Sequence, residues 1–259
     1  MSTNASTETT VRTLSQMKEA AAKGEVSFSA YEHARNFCAD ANTDHDWWDC
    51  TVETWKNALA EIGFLDADIQ FTGFWSQGDG ASFTASVDAE KIISLFVSPP
   101  APLDQISVDA DEKEVFAPWL MRKVGGVHRR EDFAALLSLA KDGELEIFMH
   151  RTSRHYSHSR TVGIDLEYRE PYNPDALESL ADAAANGGEI DYDYLTDHLR
   201  TAVESLYHDL CKSLYADLRD EYEYLTGEEA VIDFAEANEY LFTENGSIYR
   251  GVVPVEENP

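Results

Sequence analysis

From Leu195 to Tyr222 the apolar positions Leu195, Leu199, Val203, Leu206, Leu210, Leu214, Leu218 and Tyr222 recur at steps of three and four. That spacing commits the segment to one amphipathic helix of about eight turns, roughly 45 Å at 1.5 Å per residue, whose apolar face must be covered. The chain has the means: 259 residues with 43% hydrophobic content can build a substantial core, as one large domain or two small ones.

The other elements follow from switches of period. Val11, Leu14, Met17 and Ala21 sit at helical spacing, and Ser29-x-x-Glu32 reads as a capping box opening a short helix through Phe37. Asp46 then caps a third helix carrying Trp48, Val52, Trp55, Leu59 and Ile62. From Asp68 the period drops to two, with Ile69, Phe71 and Trp75 on one face and Gln70, Thr72 and Phe74 on the other. Ala81, Phe83, Ala85 and Val87 answer it across Ser76–Gly80, which makes a hairpin. Helices are expected at about 112–123 and 130–141. Leu145–His150 and Val162–Tyr168 form a second hairpin around the polar run Thr152–Arg160. Residues 171–190 read as a linker. Thr226-x-x-Glu229 opens a last helix to Asn238, and Glu244-Asn245-Gly246 turns a small terminal hairpin. The predicted class is α+β: a four-stranded antiparallel sheet of two hairpins packed with helices, a long acidic C-terminal helix and the terminal hairpin. Residues 11–259 are expected to form a single domain with an inserted segment at about 98–141, preceded by a disordered tail over 1–10.

Charge narrows the function classes. With 49 acidic and 20 basic residues the formal charge is −29, so direct binding of nucleic acid is disfavoured. Residues 172–259 hold 21 acids against four basic residues, which makes either a nucleic-acid mimic or a solvated face. Within 122–169 the balance inverts, with nine Lys or Arg against seven acids, and four histidines, His128, His150, His155 and His158. Two readings stand there: an anion or acidic-partner site made by Arg151, Arg154 and Arg160, or pairing of these cations with the chain's own carboxylates. No run of about 18 apolar residues occurs and Met1–Thr10 does not resemble a secretory leader, so a cytoplasmic protein without membrane contact is expected. Cys38, Cys50 and Cys211 are too scattered for a disulfide framework or a cysteine metal site and read as reduced thiols.

Few residues carry a chemical signature. Gly78-Asp79-Gly80 allows a close backbone approach to an anion, with Asp79 as a base or ligand, or serves only the geometry of the loop. His155 and His158 have the spacing of one helical face, with His150 and Asp165 nearby. They are acid–base or ligand candidates, or simply surface histidines. No metal and no cofactor is assigned. Trp47 and Phe74, facing away from the apolar stripes, are the expected contact aromatics.

Four strings together resemble a widespread family of phage and prophage proteins commonly labelled "antitoxin of toxin–antitoxin stability system". They are Asp46-Trp47-Trp48-Asp49, Gly73-Phe74-Trp75-Ser76-Gln77-Gly78-Asp79-Gly80-Ala81-Ser82-Phe83, His155-Tyr156-Ser157-His158-Ser159 and Ala237-Asn238-Glu239-Tyr240-Leu241-Phe242-Thr243-Glu244-Asn245-Gly246. The N-terminal extension and the segment around 98–130 depart from the pattern. The resemblance implies a phage-encoded protein in the bacterial cytoplasm and draws attention to Gln77, Asp79, His155 and His158. The expected function is an accessory protein that binds and neutralises a bacterial protein: a toxin, a defence factor or a nucleic-acid enzyme. The alternatives are a small metal- or acid/base-dependent hydrolase of an anionic substrate using Asp79, His155 and His158, and an acidic nucleic-acid mimic.

Overall fold

The computed structural model describes residues 10–99, 116–169 and 192–251. All but the last residue of the expected tail over 1–10, the linker over 171–190 and much of the proline-rich stretch after Ser98 lie outside them. Eight α-helices and three antiparallel strand pairs are found among the described residues, an α+β architecture. The chain divides into two compact units, a smaller one from residues 1–48 and 220–259 and a larger one spanning Asp49–Arg219.

In the smaller unit, β1 (Val11–Arg12) precedes α1 (Leu14–Lys23) and α2 (Phe28–Asn42). Val11 belongs to a strand and not to the first helix, because Thr13 caps that helix in a full capping box with Gln16. Ser27, not Ser29, caps α2, and the helix runs five residues beyond Phe37, to Asn42. Leu14, Met17, Ala30, Tyr31, Ala34 and Cys38 pack with Val231 and Ala235 of α8 (Glu228–Ala237) and with Phe242 of β6 (Phe242–Thr243). β6 pairs antiparallel with β1. The terminal hairpin is reduced to a tight return, with one bridge between Phe242 and Ile248. Gly246 turns it at φ +82°, and a Cβ there would collide with the Ala30 carbonyl. The Tyr31 hydroxyl (2.9 Å) and the Lys18 ammonium (2.6 Å) converge on one Glu228 oxygen. No side chain caps α8, whose N-cap is Gly227, so the expected Thr226-x-x-Glu229 box is not formed.

The larger unit opens with α3 (Asp49–Glu61), which starts three residues after the expected cap Asp46. It continues through β2 (Phe64–Phe71), β3 (Ala81–Val87), α4 (Ala89–Val97), α5 (Phe116–Lys123), α6 (Ala134–Lys141), β4 (Leu145–Arg151) and β5 (Val162–Tyr168). α7 (Tyr192–Leu225) belongs to it as far as Arg219. The predicted stripe holds as far as Leu218: Leu195, Leu199, Val203, Leu206, Leu210, Leu214 and Leu218 are all buried, whereas Tyr222 is only half-buried. They share the core with Trp55, Phe64, Phe83, Ile92, Phe133 and Leu136.

Both predicted hairpins form, β2 with β3 and β4 with β5, but they do not join into one four-stranded sheet. The physical reason lies at Phe83. Its N–H donates to the Tyr207 hydroxyl (3.3 Å), and that hydroxyl donates to the Phe83 carbonyl (3.0 Å). A helix side chain thus takes the two backbone groups that a further strand would need. The β2 strand starts at Phe64, earlier than expected, with a bulge between Leu65 and Asp68 where Asp66 takes φ +51°.

Burial also sorts the thiols. It pushes Cys38 up to about 11 and Cys211 up to about 12, whereas Cys50 is exposed. Alkylation of the folded protein at about pH 8 is expected to label Cys50 alone, and all three after denaturation. Mass spectrometry reads this directly, and a second label in the folded protein would contradict the burial. The buried thiols stay protonated in the fold while the unfolded chain ionises near 9.0. Their contribution to stability is therefore intact below that value and is lost as pH rises toward about 12.

Candidate functional site

The two hairpin tips of the larger unit meet. A Cβ on Gly78 would lie 3.1 Å from two ring carbons of Tyr156, and one on Gly80 would lie 2.7 Å from Cβ and 3.0 Å from Cα of His158. The loop between β2 and β3 is closed at its base by Thr72 N–H donating to the Gly80 carbonyl at 3.0 Å. The Asp79 carboxylate accepts the Ser76 N–H at 2.6 Å, and the Asp79 N–H returns a bond to the Ser76 carbonyl at 3.1 Å. Asp79 therefore serves the geometry of its own loop. Beneath it, the Tyr215 hydroxyl donates to the Gly73 carbonyl at 3.0 Å. Burial and the nearby Asp79 charge raise the Tyr215 phenol above its ordinary value, against the opposing Arg219 charge.

The loop between β4 and β5 is not helical across His155–His158, so the two rings do not share a helical face. His155 is exposed, with its backbone N–H on the Ser153 hydroxyl at 3.3 Å. The His158 ring stacks with Tyr156 at 5.9 Å between centroids, and its carbonyl accepts from both the N–H (2.9 Å) and the hydroxyl (2.7 Å) of Thr161. His150, on β4, pairs with Asp165 at 3.0 Å, with its ring over Gly163. Among the described residues no group of three or more His, Cys, Asp or Glu is arranged to hold a metal ion.

The arginines separate in role. Arg151 is largely buried and fastens one hairpin to the other, donating to the Ser82 hydroxyl (3.2 Å), the Asp68 carbonyl (3.2 Å) and the Asp68 carboxylate (3.4 Å). Arg154 and Arg160 are exposed at the second tip, and Gln77 is exposed at the first. The aromatics also differ from expectation. Phe74 turns inward onto Phe71 (6.1 Å, stacked) and Tyr215 (5.5 Å). Trp47 lies in the smaller unit, edge-on to Trp48 at 5.5 Å and against Tyr222 at 5.5 Å. On the tips themselves the exposed aromatics are Trp75, 68% exposed, and Tyr156, 55% exposed, one on each. The alternation of β2 places Trp75 with Ile69 and Phe71, but the strand ends at Phe71 and Trp75 is exposed beyond it. Tyr156 was detectable as the lone aromatic of the polar run Thr152–Arg160.

Contact chemistry is what this arrangement supplies: two exposed rings, two guanidiniums and an amide on loops locked together by the close approach at Gly78 and Gly80. Residues 47–228 match the family described as Domain of unknown function (DUF8835), a span that takes in both tips, and the chain belongs to that family. No curated protein and no solved structure matches it.

Proposed function

We propose that this member of the DUF8835 family is a phage-encoded accessory protein that binds and neutralises a bacterial protein in the host cytoplasm, using the joined hairpin tips as its docking surface. The supporting observation is the meeting of the tips, which sets the loop bearing the exposed Trp75 against the loop bearing the exposed Tyr156. Trp, Tyr and Arg are the side chains that most often dominate protein interfaces, because they bury large areas with little loss of conformational freedom. Loops held by backbone contacts are already ordered, which reduces the entropic cost of association. The phage origin rests on the four sequence strings, two of which form these tips. Among the described residues no helix is long and apolar enough to cross a membrane.

Capture from bacterial lysate tests the reading. Wild-type protein is expected to retain one stoichiometric partner, and a folded Trp75→Ala/Tyr156→Ala variant to lose it. Equal capture by both would rule the tips out.

The meeting of the loops also supports a second reading, acid–base hydrolysis by Asp79 with His158 and His155. Against it stands the engagement of the Asp79 carboxylate by Ser76. Full biological activity in Asp79→Asn and His155→Ala variants would eliminate it.

A further inference from the structure

We infer that the joined tips recognise an acidic segment of the partner protein, with its carboxylates at Arg154 and Arg160 and an apolar side chain against Trp75 and Tyr156. This deepens the docking reading above and rests on it. The sequence gathers nine Lys and Arg between residues 122 and 169, and most of them are already engaged. Lys123 pairs with Asp217, Arg129 with Glu131, Arg130 with Asp132, Arg151 with Asp68 and Arg169 with Glu146. Arg122 and Lys141 sit in the last turns of α5 and α6, where a positive charge meets the negative end of the helix dipole. Arg154 and Arg160 are in no ion pair among the described residues, and the three-residue 3-10 turn Ser159–Thr161 that holds Arg160 is too short to present a helix dipole of consequence.

In a chain of 49 acids and 20 basic residues, the average field favours pairing every cation internally. Lys56, Lys91 and Lys212 are likewise exposed and in no ion pair, but each stands on a different element, whereas Arg154 and Arg160 share one loop. Their loop, Thr152–Thr161, contains no acid at all. On the facing tip the sole carboxylate, Asp79, is turned to its own Ser76 N–H. Guanidinium groups accept carboxylates in a two-pronged geometry, and the adjoining rings provide the apolar contact that fixes position.

A short acidic segment suits this surface better than a polynucleotide. Screening confines the positive field of the tips to about 8 Å at physiological salt, so a long polyanion would run onto the negative remainder of the molecule.

Fluorescence polarisation with the full chain decides the matter. The probes are a labelled peptide of alternating Glu and Leu, its Lys and Leu counterpart, and a thymidine decamer. The acidic peptide is expected to bind and the basic one to fail, with affinity falling about tenfold in an Arg154→Gln/Arg160→Gln variant and again at high salt. Equal binding of both peptides, tighter binding of the decamer, or an unchanged affinity in the variant would each overturn acidic recognition. Lysate capture with the same variant separates the two claims. A partner lost on Trp75→Ala/Tyr156→Ala but kept on Arg154→Gln/Arg160→Gln overturns this inference alone. A partner kept by both variants overturns the docking reading as well.

Discussion

A Gly80→Ala variant is expected to capture its partner at least about tenfold less well while remaining folded. The added methyl would stand 2.7 Å from Cβ and 3.0 Å from Cα of His158. Real side chains do not tolerate such distances, and the second contact is with backbone, so the loop carrying Tyr156 and Arg154 must move away from the first tip. Overpacking of this kind costs about 1–3 kcal/mol, or a few degrees of melting temperature in a unit of this size. Function should therefore fall much further than stability. Calorimetry beside the capture experiment checks both halves. Full capture with the substitution in place would mean that the junction of the tips is incidental to the docking surface.

Trp55→Ala should have the opposite profile, destabilising the larger unit by about 3–5 kcal/mol and lowering its melting temperature by about 10 °C. Trp55 is 1% exposed and packs edge-on to Trp119 at 5.5 Å. Its indole N–H donates to Asp217 at 3.0 Å, and the same carboxylate binds Lys123. Truncation leaves a cavity and removes the donor at once, so a part-buried carboxylate loses one of its two partners. Trp55→Phe restores much of the volume but not the hydrogen bond, and should fall between wild type and Ala. A loss below about 1 kcal/mol on Trp55→Ala, measured by denaturant titration, would show that this packing contributes little.

The two variants mark different depths of legibility. Trp55 was readable as a core residue from the four-and-three spacing of its helix, and the structure buries it. The consequence of Gly80 was not readable, because a glycine between two strands satisfies the hairpin by itself and says nothing of a second loop pressed against it. The candidate residues divided in the same way. Asp79 and His158 do lie on touching loops, yet Asp79 is held by its own turn and the two histidines share no helical face. Arg151 belonged to the same basic run as Arg154 and Arg160, but only the fold shows that it is a fastener between hairpins and that they remain exposed.

What the sequence by itself determined is the part governed by short-range period and turn chemistry: the seven-leucine-and-valine stripe of α7, the two hairpins, the inward face of α3 and the Asn245-Gly246 return. The tertiary structure alone decided which strand edges stay open, which cations are already paired and which loops touch. Tyr207 reaches Phe83 across 124 positions, Arg151 reaches Ser82 across 69, and β1 finds β6 at the far end of the chain. Periodicity specifies which face of an element is apolar, whereas these contacts depend on how separate faces are brought together, and no local pattern encodes that.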